Sequence, residues 1–138
     1  MPTRVLHHPS LLAALCALSL AGAHAQPLPN LPAFQTAGPV QYSCGGIGSD
    51  ESTAMRDAMK DFPLSLLFAS KGGDYLASLV VELQNAHGTV TRFSATSPVC
   101  LLRLPAGHYT VKATTQDGNT QTHTVDIGTH IRTLDFRY

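Results

Sequence analysis

Downstream of Pro63 the chain alternates short apolar phases with polar turn residues, and that rhythm predicts strands. Leu64 to Ala69 (LSLLFA) sets Leu64, Leu66 and Phe68 in one phase, and Lys71-Gly72-Gly73-Asp74 then makes a turn. Tyr75 to Gln84 leads through Asn85-Ala86-His87-Gly88, a hairpin connection, into Thr89 to Phe93. Val99 to Leu104 (VCLLRL) is almost continuously apolar, which predicts a central strand buried on both faces. Pro105-Ala106-Gly107 turns the chain into His108 to Thr115, where Tyr109, Val111 and Ala113 alternate with polar residues. Asp117-Gly118-Asn119 makes another hairpin turn into Thr120 to Ile127, and Thr129 to Tyr138 forms the last strand. These seven strands, with turn signals at regular spacing, argue for an antiparallel β-sandwich. Leu66, Phe68, Val81, Leu102, Leu104, Tyr109, Val111 and Val125 are the expected core.

The pattern before Pro63 is different. Arg4 precedes an uncharged apolar run, Leu11 to Leu20, and Ala23-His24-Ala25 presents small residues at a cleavage position before Gln26. Residues 1–25 therefore read as a secretory signal peptide, with an apolar stretch too short to span a bilayer. The mature chain is expected to be exported, periplasmic or secreted, without a transmembrane segment. Residues 26–40 hold Pro27, Pro29, Pro32 and Pro39 and almost no charge. They read as a proline-rich arm, either a spacer or a strand-like strap. The domain proper is expected over 41–138. Its only helix is placed at about 50–61, with Ser49 as N-cap, Asp50 and Glu51 in the first turn and Pro63 as the stop.

Cleavage simplifies the charge and cysteine content. The mature chain keeps eight Lys/Arg against nine Asp/Glu, interspersed without blocks. That balance offers no electrostatic footprint for nucleic acid. Cys16 leaves with the signal, and Cys44 and Cys100 remain, an even pair in an oxidising compartment. One structural disulfide is expected between them, with Cys44 in a glycine-rich loop and Cα atoms about 4.4–6.8 Å apart. The chain-entropy model assigns such a link roughly 4 kcal/mol.

The run Leu104-Pro105-Ala106-Gly107-His108-Tyr109-Thr110-Val111, with Ala113, reads L-P-A-G-x-Y-x-V-x-A. It resembles the strand-turn-strand signature of carboxypeptidase regulatory-like domains, which have a transthyretin-like (prealbumin-like) sandwich. Gly45-Gly46-Ile47-Gly48-Ser49-Asp50-Glu51 and Lys71-Gly72-Gly73-Asp74-Tyr75-Leu76-Ala77 are similar to further segments of small secreted bacterial proteins with that domain. The resemblance covers about Gln41 to Tyr138. It implies a seven-stranded transthyretin-like sandwich with one short N-terminal helix, and it carries over no biochemical role.

Candidate chemistry is sparse. His87, His108, His123 and His130 remain in the mature chain, without HxH or HxxxH spacing to require a metal site. Gly45, Gly46, Asp50 and Glu51 form a candidate interaction loop at a helix N-terminus. Neighbouring acids disfavour phosphate there, and the spacing is not that of a calcium loop. The transthyretin-like fold also hosts 5-hydroxyisourate hydrolases, but their terminal Y-R-G-S tetrapeptide is replaced here by Leu134-Asp135-Phe136-Arg137-Tyr138. The expected function is an exported, non-catalytic module without a cofactor, binding a protein or an envelope component through loops or a sheet edge. Competing readings are a small-molecule or metal-binding protein and a cryptic hydrolase. Fold alone does not decide among them.

Overall fold

The computed structural model describes residues 31–138, so the expected signal peptide and the first residues of the proline-rich arm lie outside the described residues. Among the described residues, nine strands form two sheets, with one α-helix. In chain order they are β1 (Gln35–Ala37), β2 (Val40–Gly45), α1 (Ser49–Ala58), β3 (Leu64–Ala69), β4 (Leu79–Asn85), β5 (Gly88–Ala95), β6 (Val99–Arg103), β7 (Gly107–Thr114), β8 (Thr120–Ile127) and β9 (Arg132–Arg137). The first sheet has the order β1-β2-β6-β3-β9 and the second β5-β4-β7-β8. Seven of the nine strands follow Pro63, where the apolar rhythm predicts strands. The other two arise in the segments read as an arm and a glycine-rich loop.

The first sheet is covered on both faces at its centre. Toward the second sheet, Val40, Leu64, Leu66, Phe68, Cys100, Leu102 and Phe136 meet Leu79, Val81, Leu83, Phe93, Ala95, Tyr109, Val111, Ala113, Val125 and Ile127 in one core. On its other face, Val99, Leu101 and the half-buried Leu67 pack under Met55, Ala58 and Phe62 of the helical segment. Burying a Met or Phe side chain stabilises by roughly 1.5–3 kcal/mol. A helix of three turns, marginal alone, is held by that contact. This arrangement accounts for the apolar run of β6: alternate residues serve two different cores, and Val99 to Leu102 are all fully buried.

Several expectations need correction. Sheet pairing is antiparallel except between β3 and β9, which run parallel. A chain arriving at β9 from the other sheet is not bound by a hairpin, so parallel alignment is open to it. The fourth strand begins at Leu79 and not at Tyr75. Ser78 adopts a left-handed φ of 61°, which interrupts extended backbone, and Tyr75 forms only an isolated bridge to Ala69. Leu104 is half-buried, just past the end of β6, whereas the other seven expected core residues are buried. The helix N-cap is Gly48, and Ser49 is the first helical residue. After Ala58 the helix tightens into a 3₁₀ turn, Met59–Asp61, ahead of Pro63.

The described part of the arm is a strap. Ser43 Oγ donates to the Pro32 carbonyl at 2.8 Å, and Leu31 packs on the helix-side core. Phe34 stacks on Phe62 with centroids 5.4 Å apart, and the Arg103 guanidinium lies over both rings. β1 then pairs with β2 over three residues.

Candidate functional site

Cys44 and Cys100 are disulfide-bonded. Cys44 lies in strand β2, not in a loop, directly opposite Cys100 of β6. Their Cα atoms are 4.1 Å apart, just under the expected range and near the about 4.5 Å of a closely spaced antiparallel pair. The link ties the β1–β2 hairpin to the central strand from within the main core.

Around the candidate interaction loop, Glu51 turns back over the chain that precedes its own helix. Its Oε1 accepts from Gly46 N at 2.7 Å and Ile47 N at 3.3 Å, in the manner of the returning acid of a capping box. Gly46 has φ +102°, a conformation that strains other residues. A Cβ on Gly45 would stand 2.7 Å from Pro32 Cγ and 2.9 Å from that same Glu51 oxygen. Gly45, Gly46 and Glu51 are thus drawn together in a bonded cap, while Asp50 is exposed beside them.

The Pro105-Ala106-Gly107 turn is a corner where the chain passes from the first sheet to the second. Tyr109 Oη donates to the Pro105 carbonyl at 2.8 Å, closing the corner four residues upstream. Burial raises the Tyr109 pKa above the ordinary phenol value. At the opposite end of the sandwich, Tyr138 Oη donates to the Ala113 carbonyl at 2.6 Å, and burial pushes its pKa up to about 12. Exposed Asp117 is held below the usual carboxylate range, chiefly by the Thr115 hydroxyl. Arg137 is raised by its bonds to Asp135. All four groups are engaged in local structure.

The histidines divide. His123 is half-buried and meets Phe136 edge-on, with centroids 4.6 Å apart, at the margin of the core. His130 is exposed ahead of β9. His87 and His108 both line a groove of about 410 Å³ at one end of the second sheet, with Gln84, Asn85, Ala86, Gly107, Tyr109 and Thr110. His108 Nδ1 lies 2.6 Å from Asp126 Oδ1. A carboxylate only accepts, so this nitrogen carries the proton and Nε2 is left for other partners. His87 occupies the β4–β5 turn, where its backbone N–H donates to Asn85 Oδ1 at 2.8 Å and Gly88 takes φ +114°. Among the described residues, no three His, Cys, Asp or Glu side chains are grouped so as to hold a metal ion.

The groove opens onto the outer face of the second sheet. Register places Gln84 beside Thr110 and Thr110 beside Thr124, a neutral row, with Glu82, Lys112 and Thr122 in the next row. No described element packs over these residues, in contrast to the helix on the first sheet. Sequence reasoning missed the groove because it joins a turn, a corner and two strands distant in the chain. The outward phase of His108 and the turn position of His87 were the only available signals. Among the described residues, no helix is long and apolar enough to cross a membrane. No protein-family model matches the chain, and no curated protein matches it.

Proposed function

We propose that this chain is an exported, non-catalytic sandwich module of the transthyretin-like, carboxypeptidase regulatory-like kind. It binds another protein or an envelope component through the outer face of its second sheet. One observation carries the reading: the two sheets are finished differently. The first carries a helix and a strap over its central strands, whereas the second presents an open polar face ending in a groove. The disulfide suits an oxidising compartment. The closed Tyr109 corner gives the L-P-A-G-x-Y motif a structural purpose compatible with the resemblance.

Site-specific photo-crosslinking in the source cells tests this. A benzophenone amino acid at Thr122 or Thr110 should give one discrete adduct with an envelope component. The same group at Asp57 or Lys60, on the exposed side of the helical segment, should give none. Adducts confined to the helical side would overturn the assignment of the face. Intact mass of the extracytoplasmic protein should lack residues 1–25, and a form retaining Met1 would overturn export.

A further inference from the structure

We propose that β8, the free edge of the second sheet, pairs with β8 of a second copy of this chain across a two-fold axis. The inference goes beyond the proposed binding face and does not depend on what that face binds. Of the four strands at sheet edges, three are guarded against an added strand. β1 has only three residues. β5 shifts register against β4 at Leu83/Gln84, and the β1–β2 turn lies against it, with Val90 O 3.1 Å from where a Cβ on Gly38 would stand. β9 carries Arg132, Asp135 and Arg137 in six residues, and Gln121 Nε2 donates to the Arg137 carbonyl. β8 has none of these devices. Its eight residues, Thr120–Ile127, pair with β7 in unbroken register and include no Lys, Arg or Pro. Its one acidic residue, Asp126, is held by His108.

The phase of the ladder fixes what that edge offers. Thr115 N donates to the Asn119 carbonyl, closing the β7–β8 hairpin as a hydrogen-bonded pair. Pairs alternate along an antiparallel ladder, so Gln121, His123, Val125 and Ile127 turn their backbone groups to β7. Thr120, Thr122, Thr124 and Asp126 turn theirs to the open edge, where none has a backbone partner among the described residues. The strand complements its own reverse. With Thr122 opposite Thr124 of the second copy, Thr120 falls opposite Asp126, and all four edge-facing residues of each copy are paired. Facing threonines suit each other across strands, and the one carboxylate meets a hydroxyl and not its own copy. The chain is close to electrically neutral, so two copies approach without long-range repulsion. The contact is isologous, and it joins the two second sheets with their outer faces on one side. Strand pairing alone is smaller than a standard interface, so the dimer is weak and concentration-dependent.

Sedimentation equilibrium of the purified exported protein, disulfide intact, tests this over a series of concentrations. The average mass should rise from one chain towards two, and hydrogen exchange of the Thr122 and Thr124 amides should slow with it. Thr122→Pro removes an edge-facing N–H that β7 does not use. It should weaken the dimer about tenfold or more with an unchanged thermal midpoint. Thr122→Lys with Thr124→Lys sets like charges opposite and should do the same while leaving every backbone N–H in place. Thr122→Lys with Thr124→Glu should restore the dimer, because antiparallel pairing sets each cation against a carboxylate of the other copy. A single-chain mass at every concentration would overturn the inference. So would a dimer indifferent to both Thr122→Pro and the paired lysine substitutions, or one that the lysine and glutamate substitutions together fail to restore. In cells, a crosslink from Thr110, on β7 away from the edge, tests the binding face whichever result is obtained.

Discussion

The first sheet is built from strands of three to six residues and the second from strands of seven or eight, and their outer faces have opposite fates. β6 of the first sheet is buried on both sides, under the helix with Val99 and Leu101 and against the second sheet with Cys100 and Leu102. β7 of the second sheet buries Tyr109, Val111 and Ala113 and leaves His108, Thr110, Lys112 and Thr114 on the side away from the core. A continuous apolar run and a clean alternation thus report how many layers cover a strand. The difference also separates two duties. Residues on the sealed sheet hold the domain together, and residues on the open sheet are free to contact something else.

That division can be broken or sharpened by substitution. The largest effect is expected at Phe62, fully buried under the strap and beside Arg103. Phe62→Ala should cost about 3–5 kcal/mol in urea unfolding. Replacing Cys44 and Cys100 together by serine should cost about 2–4 kcal/mol with β-sheet circular dichroism retained. Glu51→Ala removes the acceptor of Gly46 N and Ile47 N and should cost on the order of 1 kcal/mol. Thr122→Ala, on the open face, should stay within about 0.5 kcal/mol of the parent. A destabilisation by Thr122→Ala comparable to that by Phe62→Ala would erase the contrast.

Alkaline titration probes the seam between the sheets. Tyr138 closes that end of the sandwich, and its folded pKa of about 12 stands above the ordinary 10.0. Ionisation is therefore easier in the unfolded chain. The contribution is complete below pH 10 and is lost as pH rises from 10 towards 12. Tyr109 shifts in the same direction and adds to the loss. Urea midpoints should decline over that window, and Tyr138→Phe should flatten part of the decline. An unchanged slope would mean that burial of Tyr138 does not carry it.

What the sequence makes legible follows from local physics. Each strand after Pro63 is visible because its alternation or apolar run is a property of five to eight neighbouring residues. The Cys44–Cys100 link is visible because only two cysteines remain after the expected cleavage. β2 is less visible, since Gly45 and Gly46 disguise its end as a loop. Gly45 is required there by the close approach of Pro32 and Glu51, a contact no local pattern displays. β1 owes its pairing to β2 and has little strand character of its own. The parallel β3–β9 pair depends on the return path between sheets. The groove is least visible of all, being a gap defined by where the β4–β7 ladder stops.

The sealed-against-open division is tested most directly by measuring stability and crosslinking in the same two proteins. One carries Leu101→Ala on the helix-covered face of β6, and the other carries Ala86→Trp in the groove. Both bear the benzophenone amino acid at Thr122. Leu101→Ala should lose about 2–5 kcal/mol and, below its unfolding transition, keep the adduct. Ala86→Trp should keep its urea midpoint and lose the adduct. The opposite assignment, a destabilised Ala86→Trp that still crosslinks or a folded Leu101→Ala that does not, would contradict the account.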